Sequence, residues 1–102
     1  MENAKKRCIV FEMLRSVPRG CVVTYAALAA ASGTHPRAVA AFMRGNTNPV
    51  GVPCFRVVMS DGRVGGYSAP GGLARKEELL KIDGISVVEG RVDLGKYLHH
   101  FK

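Results

Sequence analysis

The sequence lacks the features that are typical of membrane proteins, of secreted proteins with disulfide bonds and of proteins with a structural metal site. No apolar run approaches the roughly 20 residues that span a bilayer, and the opening MENAKKRCIV lacks the layout of a signal peptide. The three cysteines, Cys8, Cys21 and Cys54, are odd in number and far apart, without a Cys-x-x-Cys pair. This pattern argues against a disulfide framework and a structural zinc site. We therefore predict a cytoplasmic protein with no membrane partner and no bound metal.

Acidic residues are also scarce. Eight Asp and Glu stand against fifteen Lys and Arg, which gives a net charge of +7 and a pI near 9.8. Such an excess of positive charge on a small body indicates a polyanionic partner, and nucleic acid is the first candidate. The length of 102 residues suits a single domain with a modest core, so residues 1–102 are predicted to form one domain.

The N-terminal half is predicted to be helical. Asn3 is expected to cap a first helix that ends at Pro18-Arg19-Gly20, with an apolar face formed by Ile9, Val10, Met13, Leu14 and Val17. Thr24 is the expected N-cap of a helix over residues 25–31, and His35-Pro36 opens another that runs to Gly45. Two short helices joined by a tight glycine-containing turn predict a helix-turn-helix.

The C-terminal half mixes turns with one helix. The Asp61-Gly62 pair predicts a hairpin between residues 57–59 and a partner near Val64, and Glu89-Gly90 predicts a second hairpin. Residues 65–72 form a glycine-rich loop, and a helix over 73–82 is expected to turn Leu73, Leu79, Leu80 and Ile82 inward. A solvated basic tail ends the chain. The predicted fold class is α+β: a compact winged-helix-like domain with a helix-turn-helix and small β-hairpins.

The second helix of the predicted pair, RAVAAFMRG, has an arginine near each end and small residues between them. The alanines can simply pack against neighbours. Alternatively, a face of small side chains lets the helix lie close to DNA while its arginines reach phosphates or the base stack. Adjacent turns lack the run of Asn, Gln, Arg and Lys expected of a major-groove reader. Sequence-specific recognition is therefore not expected.

Cys54 stands in the segment PCFRVV, residues 53–58. A free thiol is usually buried and inert. Here Pro53 fixes the approach to the cysteine, the glycine-rich loop can cover it, and Arg56 can lower its pKa if the guanidinium approaches the sulfur. A Cys–His hydrolase would need a partner imidazole, and the sequence alone places none of His35, His99 and His100 there.

Several segments together resemble the C-terminal domain of the O6-alkylguanine-DNA alkyltransferases. The resemblance covers residues 7–98 and rests on VVTYAALA (22–29), PRAVAAFMRGN (36–46), PCFRVV (53–58), VGGYS (64–68) and LARKEELLKIDG (73–84). These motifs occur in the family's order and at family-like spacing. The resemblance implies a DNA repair domain without the family's N-terminal domain, acting as a monomer and without a cofactor on duplex DNA that contains O6-alkylguanine.

The resemblance also implies roles for individual residues. Cys54 would accept the alkyl group, Arg37 would fill the space of the flipped nucleotide, and Asn46 would link the recognition helix to the cysteine segment. Asp83 stands where the family has an acidic relay residue. The DNA-binding set would be Tyr25, Arg37, Ala38, Ala41 and Arg44. The lesion pocket would be formed by Val52, Pro53, Phe55, Tyr67 and Ser68, with Arg56 in support.

One departure from the family pattern separates two functions. Phe55 stands where the family has a histidine that connects the cysteine to the acidic residue through water, and phenylalanine cannot accept a proton. The leading hypothesis is single-turnover alkyl transfer to Cys54. The alternative is an alkyltransferase-like protein that binds alkylated guanine without repairing it and flags the lesion for other repair proteins. A plain winged-helix regulator, indifferent to damage, is the third hypothesis.

Overall fold

The computed structural model describes residues 2–48, 51–67 and 71–101. The helices are α1 (Glu2–Arg15), α2 (Tyr25–Ser32), α3 (Pro36–Arg44), α4 (Gly72–Ile82) and α5 (Leu94–Tyr97), and the strands are β1 (Val23–Thr24) and β2 (Val57–Val58). A short 3₁₀ turn, Cys54–Arg56, immediately precedes β2. Among the described residues, no helix is long and apolar enough to cross a membrane. The α+β class is confirmed.

The predicted helix-turn-helix is α2 and α3, and its ends follow from local chemistry. The Thr24 hydroxyl accepts a hydrogen bond from the Ala27 amide at 3.0 Å, which satisfies one free N–H at the start of α2. Gly33 ends that helix at φ 75°, in the left-handed region that glycine tolerates. His35 caps α3 through Nδ1, which accepts from the Arg37 amide at 3.2 Å, and Pro36 occupies the first turn.

Helix α1 covers the helix-turn-helix through a narrower face than predicted. Val10, Leu14 and Val17 are buried and Met13 is half-buried, whereas Ile9 is exposed. The prediction for Ile9 was therefore wrong, and so was the cap at Asn3, because the helix already includes Glu2. The buried face joins Leu28, Val39, Cys54 and other residues in a first hydrophobic cluster.

The strand pairing differs from the prediction. Val57 and Val58 pair in parallel with Val23 and Thr24, so of the predicted hairpin arm only Met59 pairs across the turn, its amide donating to the Arg63 carbonyl at 2.8 Å. The turn at Asp61-Gly62 does form, because the Gly62 amide donates to the Met59 carbonyl at 2.9 Å. Both valines of β2 are fully buried, and two consecutive apolar β-branched residues suit a strand covered on both faces better than an exposed hairpin arm.

A second hydrophobic cluster organises the C-terminal half. It contains Val22, Phe55, Val58, Val64, Leu80, Ile85, Val92 and Tyr97. The second predicted hairpin is reduced to one residue pair, Val88 and Arg91, which exchange backbone hydrogen bonds. Between them, Glu89 and Gly90 both have positive φ, as a type I′ turn requires.

Two predictions for this half were wrong. The end of the chain is not a solvated tail, because α5 packs through Tyr97 and the His99 amide donates to the Val22 carbonyl at 2.8 Å. Along α4, Leu80 is buried, but Leu73 and Ile82 are 49% and 58% exposed. The inward position is taken by Lys76, whose ammonium finds backbone acceptors inside the protein.

Candidate active site

The segment that carries Cys54 turns sharply between the two hydrophobic clusters. The Cys54 amide donates to the Val52 carbonyl at 2.7 Å, and the Arg56 amide donates to the Pro53 carbonyl at 3.0 Å. As a result Cys54 packs in the first cluster and the next residue, Phe55, packs in the second. The cysteine is 7% exposed, so its sulfur is accessible only from one side.

That side is a cavity of about 310 Å³. Its walls come from α2, α3, the Cys54 turn and the first residues of the glycine-rich loop. The lining residues are Tyr25, Ala40, Met43, Arg44, Cys54, Gly66 and Tyr67. Its volume lies at the lower end of the range for small-molecule sites. The cavity is therefore a small apolar pocket with hydroxyl groups, one thiol and a cation at its edge.

The structure brings together four residues that the sequence had singled out: Tyr25, Arg44, Cys54 and Tyr67. Ala40, Met43 and Gly66 were missed. The two α3 residues had a signal, since positions 40, 43 and 44 follow i, i+3, i+4 spacing and share one helix face. Gly66 belongs to the glycine-rich loop that was predicted to cover Cys54, but nothing in the sequence distinguished it from the other glycines of that loop.

Both tyrosines face the cysteine. Burial raises the pKa of Tyr25, the charge of an ionised Cys54 raises it further, and Arg44 acts in the opposite direction. Burial also raises the pKa of Tyr67, reinforced by the Cys54 charge and by a hydrogen bond with that side chain, while Arg75 lowers it. Both phenols therefore keep their protons at neutral pH and can donate hydrogen bonds inside the pocket.

Asn46 joins the end of α3 to the cysteine segment. Its Nδ2 donates to the Val52 carbonyl at 3.0 Å, and its Oδ1 accepts from the Asn48 amide at 3.0 Å. Val52 and Pro53 are buried behind the cysteine. These contacts hold Cys54 at a fixed position relative to α3.

Several predicted site residues lie outside the pocket lining: Val52 and Pro53, which were predicted to form the lesion pocket, and Phe55, Arg56 and Asp83. Arg56 donates to both carboxylate oxygens of Asp83, at 2.7 and 3.2 Å, and to the Val17 carbonyl at 3.2 Å. The Phe55 ring lies beneath the same guanidinium, with 5.0 Å between the guanidinium carbon and the ring centroid. The guanidinium of Arg56 therefore contacts Asp83. The sequence had suggested instead that it could approach the Cys54 thiol. The predicted pocket residue Ser68 lies outside the described residues.

Helix α3 presents one exposed stripe next to the pocket. Arg37, Ala41 and Arg44 are all exposed and recur at i, i+4 and i+7 spacing, which places them on one face. Ala38 lies beside them and is half-buried. Because Arg44 also lines the cavity, the stripe runs from the start of α3 to the pocket mouth.

A fully buried lysine lies behind the pocket. Lys76 Nζ donates to the Val57 carbonyl at 2.7 Å and to the Gly66 carbonyl at 3.1 Å. Burial lowers the pKa of Lys76 to about 8, although the charge of Cys54 acts in the opposite direction. Nothing in the sequence marks Lys76 as a buried residue, because a lysine in an amphipathic helix normally lies on the solvent face.

Comparison with known proteins gives a consistent set of relatives. The family described as 6-O-methylguanine DNA methyltransferase, DNA binding domain, matches residues 6–85. The methylated-DNA--protein-cysteine methyltransferase of Methanothermobacter thermautotrophicus is 41% identical over 78 residues, which cover 76% of this chain and 43% of the relative. The chain spans less than half the length of this and other curated relatives that it matches.

Two solved structures extend the comparison. The O6-methylguanine-DNA methyltransferase of Pyrococcus kodakaraensis strain KOD1 aligns with a TM-score of 0.72 and 40% identity, over 83% of this chain and 56% of that one. S. pombe Atl1, in complex with damaged DNA containing O6-carboxymethylguanine, aligns with a TM-score of 0.87 over 96% of this chain and 97% of that one. At 22% identity, the second likeness concerns the fold.

Proposed function

Because this chain belongs to the family described as the DNA-binding domain of 6-O-methylguanine DNA methyltransferase, we propose that it repairs O6-alkylguanine in duplex DNA. Cys54 is the acceptor of the alkyl group in this proposal. The observation that carries it is the position of Cys54 on a small pocket that opens beside the exposed stripe of α3. A lesion base extruded from DNA bound to α3 would reach the thiol directly.

Base extrusion is required by the chemistry of the substrate. The O6 atom of guanine lies within the base stack, so a protein thiol can reach its alkyl group only after the nucleotide rotates out of the duplex. Extrusion costs a few kcal/mol, and less for a damaged base that pairs poorly. In the proposal, the α3 stripe follows the minor groove and Arg37 occupies the vacated space, with its charge close to the phosphates.

The transfer itself is a displacement at the alkyl carbon. The Cys54 thiolate attacks that carbon, a sulfur–carbon bond forms, and the carbon–O6 bond breaks. The electron pair of the broken bond stays on guanine, which takes up a proton from a pocket donor such as the Tyr67 hydroxyl or from water. The product is restored guanine and a thioether on Cys54. This step needs no metal or cofactor, because the thiol both attacks and retains the alkyl group.

The test is the intact mass of the protein after incubation with an oligonucleotide duplex containing O6-methylguanine. The wild-type mass should rise by one methyl group in place of a proton, with the modification mapped to Cys54. The Cys54→Ala variant should bind the same duplex but keep its mass, and Cys21→Ala should react like the wild type. A wild-type mass that stays unchanged under excess lesion DNA contradicts transfer.

A second candidate function is lesion binding without repair. The observation that favours it is Phe55, which follows Cys54 directly and is buried in an apolar cluster where no imidazole can accept the thiol proton. In that case the domain flips alkylated guanine and marks it for other repair proteins. Tight, lesion-selective binding together with an unchanged protein mass would establish this function over transfer.

A further inference from the structure

Lys76 connects the two segments that face each other across the pocket. Its ammonium is fully buried and binds the carbonyl oxygen of Val57, the residue directly after the Cys54–Arg56 turn. The same ammonium binds the carbonyl oxygen of Gly66, which lines the pocket next to Tyr67. One side chain from α4 thus fixes the spacing between the segment that carries Cys54 and the segment that carries Tyr67.

The charged and titratable groups around Cys54 differ in how strongly solvent screens them. Tyr25 and Tyr67 are neutral at physiological pH, as their raised pKa values require. Arg44 on α3 and Arg75 on α4 interact with these tyrosines from exposed positions, where water weakens their fields. Lys76 interacts with Cys54 from the interior, where screening is weakest.

The residues that follow Cys54 in the sequence do not favour its thiolate. Phe55 offers no proton acceptor, and the guanidinium of Arg56 is bound to both oxygens of Asp83. Neither neighbour therefore offers the thiol a base or an unpaired positive charge, so a charge that favours the thiolate would have to come from elsewhere in the fold.

We propose that Lys76 is a positioning residue that holds Cys54 and Tyr67 in register and, through its buried positive charge, favours the thiolate of Cys54. The inference rests on the proposed function for the use made of that thiolate, but the thiolate itself can be measured without DNA. With a pKa lowered to about 8 by burial, Lys76 is still mostly protonated at pH 7 and supplies the charge that the role requires.

The first test is the pH dependence of Cys54 alkylation by iodoacetamide, followed by peptide mapping that separates Cys54 from Cys8 and Cys21. Replacing Lys76 by Met removes the charge and keeps the length of an apolar side chain. The midpoint of the rate profile should move up by about one pH unit. At a pH below both midpoints the rate should fall about three- to fourfold, because a tenfold smaller thiolate fraction is partly offset by greater nucleophilicity.

The matched control is Lys81→Met, which removes an exposed lysine from the same helix and should leave the Cys54 profile unchanged. A change in packing alone would alter access to the sulfur at every pH without moving the midpoint. An unchanged midpoint in a folded Lys76→Met protein overturns the proposal.

The second test leaves Lys76 in place, so it decides the matter even if Lys76→Met fails to fold. Coupling between two titrating groups is reciprocal, so removing the thiolate must lower the pKa of Lys76. NMR titration of the Lys76 side chain should show this decrease in Cys54→Ala relative to the wild type, and identical titrations would refute the coupling. If both tests succeed but no alkyl group is transferred from DNA, the proposed repair activity fails and the Lys76 inference stands.

Discussion

Arg56 and Asp83 form a two-pronged ion pair behind the pocket, with nitrogen–oxygen distances of 2.7 and 3.2 Å. The two side chains are 15% and 7% exposed. Arg56 also donates to the Val17 carbonyl, and the Gly20 amide donates to Asp83 at 3.5 Å. The pair therefore connects the Cys54 turn to the loop after α1 and to the end of α4. Asp83 thus stabilises the fold around the pocket.

Asp83→Ala should destabilise the protein by about 3 kcal/mol, because removing one partner leaves a largely buried charge without compensation. Urea unfolding at neutral pH measures the change. Asp61→Ala is the matched control, since Asp61 pairs with Arg63 at the surface and its loss should barely move the unfolding midpoint. A loss below about 1 kcal/mol for Asp83→Ala would mean that the buried pair contributes no more than a surface pair.

Phe55→His tests whether a histidine next to Cys54 can act as a proton relay. The new imidazole would lie in an apolar cluster, beneath a guanidinium and near a carboxylate whose oxygens already accept from Arg56. We expect less than a tenfold gain in the single-turnover transfer rate, well below the roughly 10²–10⁴-fold range of general acid–base effects. We also expect a loss of stability of about 1–3 kcal/mol from the buried polar ring.

Phe55→Leu controls for the change in packing and should leave the transfer rate near that of the wild type. Acceleration of Phe55→His by a hundredfold or more would show that Asp83 and water complete the relay despite Arg56.

The features predicted correctly from the sequence are those that neighbouring residues determine. The Thr24 and His35 caps, the glycine-containing turn between α2 and α3 and the Glu89-Gly90 turn each depend on a few residues in a row. Their hydrogen bonds or backbone conformations are satisfied locally. The bounds of α2 and α3 were therefore predictable, and with them the helix-turn-helix that carries the exposed arginine stripe.

The features that were missed depend on partners distant in the chain. Lys76 is buried because two carbonyl oxygens, 19 and 10 residues away, accept its protons. Arg56 turns from the thiol because Asp83 lies 27 residues further on. The parallel pairing of β1 with β2 likewise joins segments that local turn signals do not connect. The family resemblance implied that Asp83 is a relay residue. In the folded chain its carboxylate accepts hydrogen bonds from Arg56, a contact that the sequence does not reveal.

Arg37→Ala should weaken binding to a lesion-containing duplex at least tenfold while leaving the unfolding midpoint nearly unchanged. Arg37 is exposed at the start of α3, so it contributes little to the core, whereas the extruded state would lose the side chain that fills the vacated space. Arg91→Ala removes an equal charge from the 88–91 hairpin and is the control. Wild-type affinity of Arg37→Ala, with normal base extrusion reported by 2-aminopurine fluorescence, would remove Arg37 from the mechanism.

Binding to undamaged DNA should be mainly electrostatic and nearly independent of sequence. If about four phosphates are neutralised, the logarithm of the affinity should fall against the logarithm of the salt concentration with a slope of roughly −3 to −4. Fluorescence anisotropy over a salt series measures the slope. Strong preference for one undamaged sequence, or an affinity insensitive to salt, would favour a winged-helix regulator or a different partner.

Lys76 should make the stability of the protein rise with pH above neutrality. Burial lowers its pKa from the model-peptide value of 10.5 to about 8 in the folded protein, so between these values the unfolded chain binds more protons than the folded chain. The free energy of unfolding must then increase with pH in this window. Relative to Lys76→Met, the wild type should gain about 2 kcal/mol between pH 7 and 9.5 in urea unfolding.

Both proteins carry Cys54→Ala in this comparison, because the proposal couples Cys54 to Lys76. Subtracting the Lys76→Met curve then removes the contributions of groups whose titration the substitution leaves unchanged. Among them are Tyr25 and Tyr67, whose raised pKa values make stability fall with pH once the unfolded tyrosines ionise near pH 10. Lys81→Met should run parallel to the wild type, since its lysine is exposed. If the Lys76→Met and wild-type curves also run parallel, the ammonium of Lys76 is not held at a lowered pKa. The buried charge assigned to the pocket would then be absent, because a lysine with free access to water is screened from Cys54.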